Sequence, residues 1–253
     1  MKIILLGSGR VATQLGQALK QAGEEIIQVY SPTEAHASAL ANKLSTAAIS
    51  NTADLRKDAD LYIISVNDDA IAALAGSLNL PGKIVVHTSG STPMDVLNPA
   101  SDRIGVFYPL QTFSFGKSVD FTAVPLALEA NSPEVLAVLQ TLAEKISRKV
   151  IVMSSKQRMA LHISAVFACN FSNHLYALAQ QLLARHQLDF DLLRPLIAET
   201  AAKVQDHLPA EVQTGPAIRE DMKTLAKHLE LLKQQPHLQE IYRLLSQSIV
   251  NLQ

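Results

Sequence analysis

A single cysteine, Cys169, stands among the 253 residues of this chain, inside an apolar segment. That excludes an intrachain disulfide and a cysteine-rich metal site, and no metal is expected. A strong charge of either sign is missing as well: 18% of the residues are charged and the formal net charge is -1. No global field therefore draws the chain to nucleic acid or to an anionic membrane surface, and a small-molecule partner is the expectation. No run of about 18 uncharged apolar residues suggests a membrane helix, and the first residues lack the basic segment and cleavage site of a secretory signal. The apolar start is read as structure, and a reducing, cytoplasmic setting is expected. Internal repeats and low-complexity tracts are absent too.

What is present is core-forming sequence. At 48% hydrophobic, the chain can fill one large or two modest domains. The runs KIILL (2–6), EIIQVY (25–30), LYIISV (61–66) and KIVVH (83–87) read as buried parallel strands, because strands covered on both faces are continuously apolar. Helical spacing fills 10–22, 34–44 and 69–78. This alternation predicts a doubly wound α/β sheet. Strands at 103–108, 123–129 and 149–153, with a helix at 133–146, extend it. Beyond Ser155 the segment 156–186 has neither proline nor glycine and reads as one long helix, followed by helices near 189–206, 217–234 and 236–250. The expected division is a Rossmann-like domain over 1–153 and an all-helical domain over 154–253. The longest irregular stretches, around 109–122 and 207–217, are of a length that is often functional.

Gly7, Gly9 and Ala12 form G-x-G-x-x-A between the first strand and the first helix. The first glycine permits the turn, the second admits a pyrophosphate, and the small third residue lets helix and strand pack. The helix N-terminus offers unpaired N–H groups to phosphate, and Ser8, Arg10 and Val11 complete the expected cofactor turn. A turn that binds nothing is the alternative. An NAD enzyme usually carries an acid at the end of the second strand. Here Tyr30, Ser31, Pro32 and Thr33 occupy that place. Ser31 and Thr33 as neutral donors, with Arg10 supplying charge, favour NADP over NAD, although Glu34 remains available as a displaced acid.

Other loops emerge at the carboxyl edge of the sheet, where ligands bind in this architecture. In SVNDDAI (65–71), Val66 and Asn67 are expected along the nicotinamide ribose, with Asp68 or Asp69 capping the next helix. HTSGS (87–91) brings His87, Thr88 and Ser89 to the same edge, either toward ligand or as a structural Ser/Thr turn. FYPLQTFS (107–114) places an aromatic pair, a proline and Gln111 in a loop that walls a pocket or packs ordinarily. On the long helix, His162 and Asn170 lie about 80° apart around the axis and about 12 Å along it, so they share a side. Such polar groups on an apolar helix need partners. In TGPAIRED (214–221), Arg219 is placed to grip a carboxylate, or the segment is a capped helix start with surface charges.

GSGRVA, VNDDAI, HTSGS, YPLQTFS, the His and Asn of HISAVFACNF, and TGPAIRED together resemble a family of NADP oxidoreductases that join a Rossmann-like domain to a C-terminal helical domain of unknown function. The architecture is more distantly similar to pyrroline-5-carboxylate reductase and the 6-phosphogluconate dehydrogenase-like enzymes, whose helical domains pack as dimers. The resemblance implies a homodimer with its active-site clefts between domains. It carries no substrate. The Lys–Asn pair of β-hydroxyacid dehydrogenases is absent, since Lys156 is followed four residues later by Ala160. The Ser/Thr- and Gly-rich loop of pyrroline-5-carboxylate reductase is replaced by TGPAIRED.

The expectation is an NADP-dependent oxidoreductase that transfers a hydride to or from a small C=O or C=N compound. His162 would move the proton, since imidazole titrates near neutrality. Asn170 would orient substrate, Arg219 would bind an acidic group, Ser89 and Gln111 would line the substrate, and His87 is the rival acid–base group. A non-catalytic NADP-binding dimer that signals through a protein partner is the alternative.

Overall fold

The computed structural model describes residues 1–114, 116 and 119–252. The chain divides into two compact units, Met1–Cys169 and Asn170–Gln253. The first contains strands β1 (Lys2–Leu6), β2 (Glu25–Tyr30), β3 (Ala47–Ile49), β4 (Leu61–Ile64), β5 (Ile84–His87), β6 (Arg103–Pro109), β7 (Leu126–Ala130) and β8 (Val150–Val152). Its helices are α1 (Arg10–Gln21), α2 (Glu34–Leu44), α3 (Asp68–Ser77), α4 (Pro133–Glu144) and α5 (Ser155–Ala165).

All eight strands form one sheet in the order β3-β2-β1-β4-β5-β6-β7-β8. The first six are parallel and follow the 3-2-1-4-5-6 order of a Rossmann fold. The last two reverse: β7 is antiparallel to β6, and β8 is parallel to β7. A parallel return needs a crossover, usually a helix. Between β6 and β7 the described residues hold only the 3₁₀ turn Phe121–Ala123, so the chain comes back antiparallel. The expected sheet is therefore mostly parallel, with a reversed edge. Strand β3 escapes sequence reading because it is three residues long and only partly covered.

Alternation along the strands splits the core into two layers. Ile3 and Leu5 of β1 and Leu61 and Ile63 of β4 join Leu15 and Leu19 of α1, Leu40 and Leu44 of α2, and Leu139 of α4. On the opposite face, Ile4, Leu6, Tyr62 and Ile64 join Ile71 and Ala75 of α3.

The first unit keeps α5, running past the expected boundary after Met153 to Cys169. The reason is a buried polar anchor. Arg158 of α5, 1% exposed, pairs with Glu129 of β7, and the same carboxylate accepts from the Ser155 N–H at 2.9 Å and the Ser155 hydroxyl at 2.8 Å.

The expected long helix is real but interrupted, because Val166–Phe171 form a π-helical turn. The second unit contains α6 (Ser172–Arg185), α7 (Arg194–Asp206), α8 (Met222–Leu231) and α9 (Pro236–Asn251). Helix α8 begins at Met222, later than expected. Asp221 caps it, accepting from the Thr224 N–H at 3.0 Å and the Thr224 hydroxyl at 2.7 Å. Among the described residues, no helix is long and apolar enough to cross a membrane.

Candidate functional site

The carboxyl ends of the parallel strands surround a cavity of about 650 Å³, formed within the first unit. One end is the glycine turn. Gly7 sits at φ +135°, and a Cβ there would fall 2.1 Å from the Ser65 carbonyl oxygen. Both facts require glycine, since side chains rarely adopt that conformation and the next strand leaves no space. At Gly9 the situation is the reverse: a Cβ would meet nothing within 4 Å. Protein packing does not explain that glycine; the open space beside it faces the cavity, which Gly9 lines. Gly9 also occupies the cap position of α1 with no side-chain cap, and a helix N-terminus favours an anion. Ala12 is fully buried, as close helix–strand packing requires.

Ser8, Arg10 and Val11 line the cavity beside the two glycines. So do Ser31 and Pro32 at the end of β2, whereas Thr33 and Glu34 are not among its lining residues. The Ser31 N–H is used by the Ile49 carbonyl of the edge strand at 3.2 Å. Val66 and Asn67 line the next stretch. Asn67, rather than either aspartate, occupies the cap position of α3, and Asp68 and Asp69 fall in its first turn, where they complement the helix dipole.

The HTSGS turn contributes Thr88, Ser89 and Gly90 to the cavity but not His87. Thr88 donates to the Ser65 hydroxyl at 3.1 Å. The Ser89 hydroxyl accepts from the N–H groups of Ser91 and Thr92 at 3.1 and 3.0 Å, so it builds the turn while lining the cavity. His87 is fully buried. Its Nδ1 accepts from the Ser89 N–H at 3.1 Å, and its Nε2 has no hydrogen-bond partner among the described residues. Burial above all, then the charge of Arg158, hold its pKa down at about 4, against the opposing pull of the Pro93 backbone, Asp68 and Glu129. The imidazole is therefore neutral at physiological pH and supports the turn from behind.

His162 reaches the cavity from α5. Its Nδ1 hydrogen-bonds the Tyr108 hydroxyl at 3.1 Å, and the two rings meet edge to face with centroids 6.1 Å apart. Gly90 makes room for the pair: a Cβ there would lie 2.6 Å from His162 Nδ1 and 2.8 Å from Tyr108 Cζ. Tyr108, one of the aromatic pair of FYPLQTFS, lines the cavity, but the sequence does not signal its pairing with His162. Burial, and secondarily the Asp68 carboxylate, push the Tyr108 pKa up, with Arg158 opposing. Gln111 also lines the cavity, its side-chain carbonyl accepting from the Thr112 N–H at 2.7 Å.

Asn170 and Arg219 belong to the second unit. Asn170 lies in the π turn, whose wider winding invalidates the angular reckoning from an ideal α-helix. Arg219 is exposed in the turn before α8 and, after the Thr224 hydrogen bonds, helps hold the Asp221 carboxyl below its usual range. The cavity brings together Gly7, Ser8, Gly9, Arg10, Val11, Ser31, Val66, Asn67, Thr88, Ser89, Gln111 and His162. His87, Asn170 and Arg219 are not among its lining residues.

A dinucleotide-type fold with its glycine turn opening into an edge cavity is thus the class of protein defined here. Residues 1–111 match the model of a Rossmann-like domain, and residues 124–249 match a domain of unknown function, DUF2520. A solved structure of a putative NADP oxidoreductase from Bacteroides fragilis is 45% identical, with 99% of this chain and 98% of that one covered and a TM-score of 0.92. A Thermotoga maritima protein is 23% identical over 98% and 96% of the two chains, with a TM-score of 0.74. An imine reductase from Myxococcus stipitatus in complex with NADP+ is 18% identical over 99% and 92%, with a TM-score of 0.62, and is similar in fold alone. No curated protein matches. The chain belongs to the family that couples a Rossmann-like domain to the DUF2520 domain.

Proposed function

We propose that this chain is an NADP-dependent oxidoreductase that moves a hydride to or from a small C=O or C=N compound. The observation that carries this reading is one cavity with an unfilled glycine cradle at one end and an imidazole–phenol pair at the other. The residues present fit the cofactor. Gly9 and the α1 N-terminus would hold the pyrophosphate, and Ser31 with Arg10 the 2′-phosphate. Val66, Asn67 and Thr88 would border the nicotinamide ribose. Bound NADP supplies the hydride or takes it up. His162 belongs to the proton-handling end of the site, and Ser89 and Gln111 line the substrate. The reading rests on the first unit alone.

The test uses the open space at Gly9. Gly9→Val adds a side chain that meets no protein atom at its Cβ, so the melting temperature without cofactor is expected to stay within a few degrees of wild type. Affinity for NADPH, measured by fluorescence titration, is expected to fall about tenfold or more, and the NADPH-induced rise in melting temperature to shrink with it. Equal affinity in wild type and variant would remove the cradle from the reading.

The working form is proposed to be a homodimer. Helices α6, α7 and α9 bury no residue of their own in the single chain, and Leu192, Leu196, Leu208 and Leu244 are each more than 60% exposed. Apolar surface on this scale favours association. Light scattering after size exclusion should return twice the 27.4 kDa chain mass; a monomer at micromolar concentration would count against it.

A further inference from the structure

Tyr108 sits near the end of β6, beside the HTSGS turn and α5. The residue lines the cavity, and its hydroxyl is hydrogen-bonded to His162 Nδ1 at 3.1 Å. Tyr108 as a whole is 9% exposed, so most of the side chain is packed. The contact is built, not incidental. It depends on a glycine at position 90, where any Cβ would collide with both rings, and on α5, whose first turn is fixed to β7 through Glu129. The charged groups acting on the phenol are Asp68, which itself contacts the Ser91 hydroxyl, and Arg158.

We propose that the Tyr108 hydroxyl, rather than the His162 ring, exchanges the proton with the substrate, and that His162 behind it supplies and reclaims that proton. The proposal rests on the oxidoreductase reading and deepens it. The hydrogen bond runs in one of two directions according to the charge on His162. With neutral imidazole, Nδ1 accepts and the phenol proton points at His162. With imidazolium, Nδ1 donates to the phenol oxygen, and the phenol proton is released toward the cavity. In the reducing direction the substrate carbon gains the hydride, and the π pair of the C=O or C=N bond moves to the heteroatom. That atom takes the proton from Tyr108 Oη, and Oη takes one from Nδ1 of the imidazolium. His162 ends neutral and is reprotonated from water. Oxidation runs the same bonds in reverse. The pair thus takes a substrate with a hydrogen-bond-accepting oxygen or nitrogen at the reacting carbon.

The experiment compares wild type, Tyr108→Phe and His162→Gln, with NADPH as donor and pyruvate, 2-oxoglutarate and 3,4-dihydroisoquinoline as probes. NADPH affinity should stay within about threefold in both variants. For the probe that wild type reduces, Tyr108→Phe should lower kcat by about 100-fold or more, the range expected for loss of a general acid. His162→Gln should cost less and remove the fall of kcat at high pH. An independent reading comes from the cofactor-free protein, where the His162 imidazole is followed by 15N NMR. Its Nδ1 resonance should shift in Tyr108→Phe. A kcat for Tyr108→Phe within threefold of wild type, or an unmoved Nδ1 resonance, overturns the proton route and leaves the oxidoreductase reading standing. Wild type that binds NADPH but reduces none of the probes overturns hydride transfer to this class, and the proton route with it.

Discussion

Arg158→Leu is expected to lower the unfolding free energy by about 3–5 kcal/mol, the cost of breaking a buried ion pair from one side. The guanidinium is 1% exposed and the Glu129 side chain 16% exposed, so removing the cation strands a carboxylate where water reaches it poorly. Further bonds go with it: Arg158 donates to the Thr92 carbonyl at 2.5 Å and to the Ser155 hydroxyl at 3.2 Å. One change therefore releases both the end of the HTSGST turn and the start of α5. Glu129→Leu combined with Arg158→Leu should be less damaging than Arg158→Leu alone, because no unpaired charge remains. Urea unfolding of the singles and the double decides it. If the two losses simply add, the pair is not the anchor described above.

Acid should destabilise the protein through His87, by about 3.5 kcal/mol at most, taking about 1.4 kcal/mol for each unit that its pKa lies below the ordinary value. The sign follows from burial. The folded pKa, about 4, is depressed below the ordinary value of 6.5, so the folded state favours the neutral ring. That contribution is fully present above pH 6.5 and is lost as the pH falls toward 4, where the unfolded chain binds a proton that the folded chain resists. His87→Gln should start less stable at pH 7 and show a slope of stability against pH shallower by up to one proton between pH 6.5 and 4. Parallel slopes for the two proteins, measured by urea unfolding, would refute the assignment.

Much of the first unit can be read directly from sequence because its signals are local. Continuous apolar runs mark β1, β2, β4 and β5, and Gly7 and Gly9 follow β1 at the spacing that a strand-to-helix turn needs. The glycine-turn end of the cavity is legible for the same reason. The reversal of β7 is not, since nothing within LALEA distinguishes one direction from the other; what does is that the described residues between β6 and β7 hold only a 3₁₀ turn. Glu129 and Arg158 are distant in sequence, and only the reversed sheet edge brings them together. Tyr108 is hidden similarly, because its partner, His162, arrives from 54 positions away. The reckoning for Asn170 assumed ideal helical winding, and a π turn defeats that assumption without leaving a mark in composition.

The reversed edge also sets a ruler. Because β8 runs against the parallel strands, α5 starts deep beside Glu129 and travels back toward the cavity. Ser155 and His162 are seven residues apart, almost two full helical turns, so the residue that grips the anchor and the one that meets Tyr108 lie on the same stripe of the helix. The site is therefore sensitive to length as well as to residue type. One residue inserted between them would swing the imidazole by about 100° and advance it by about 1.5 Å, separating it from the phenol while leaving every individual side chain of the pair intact.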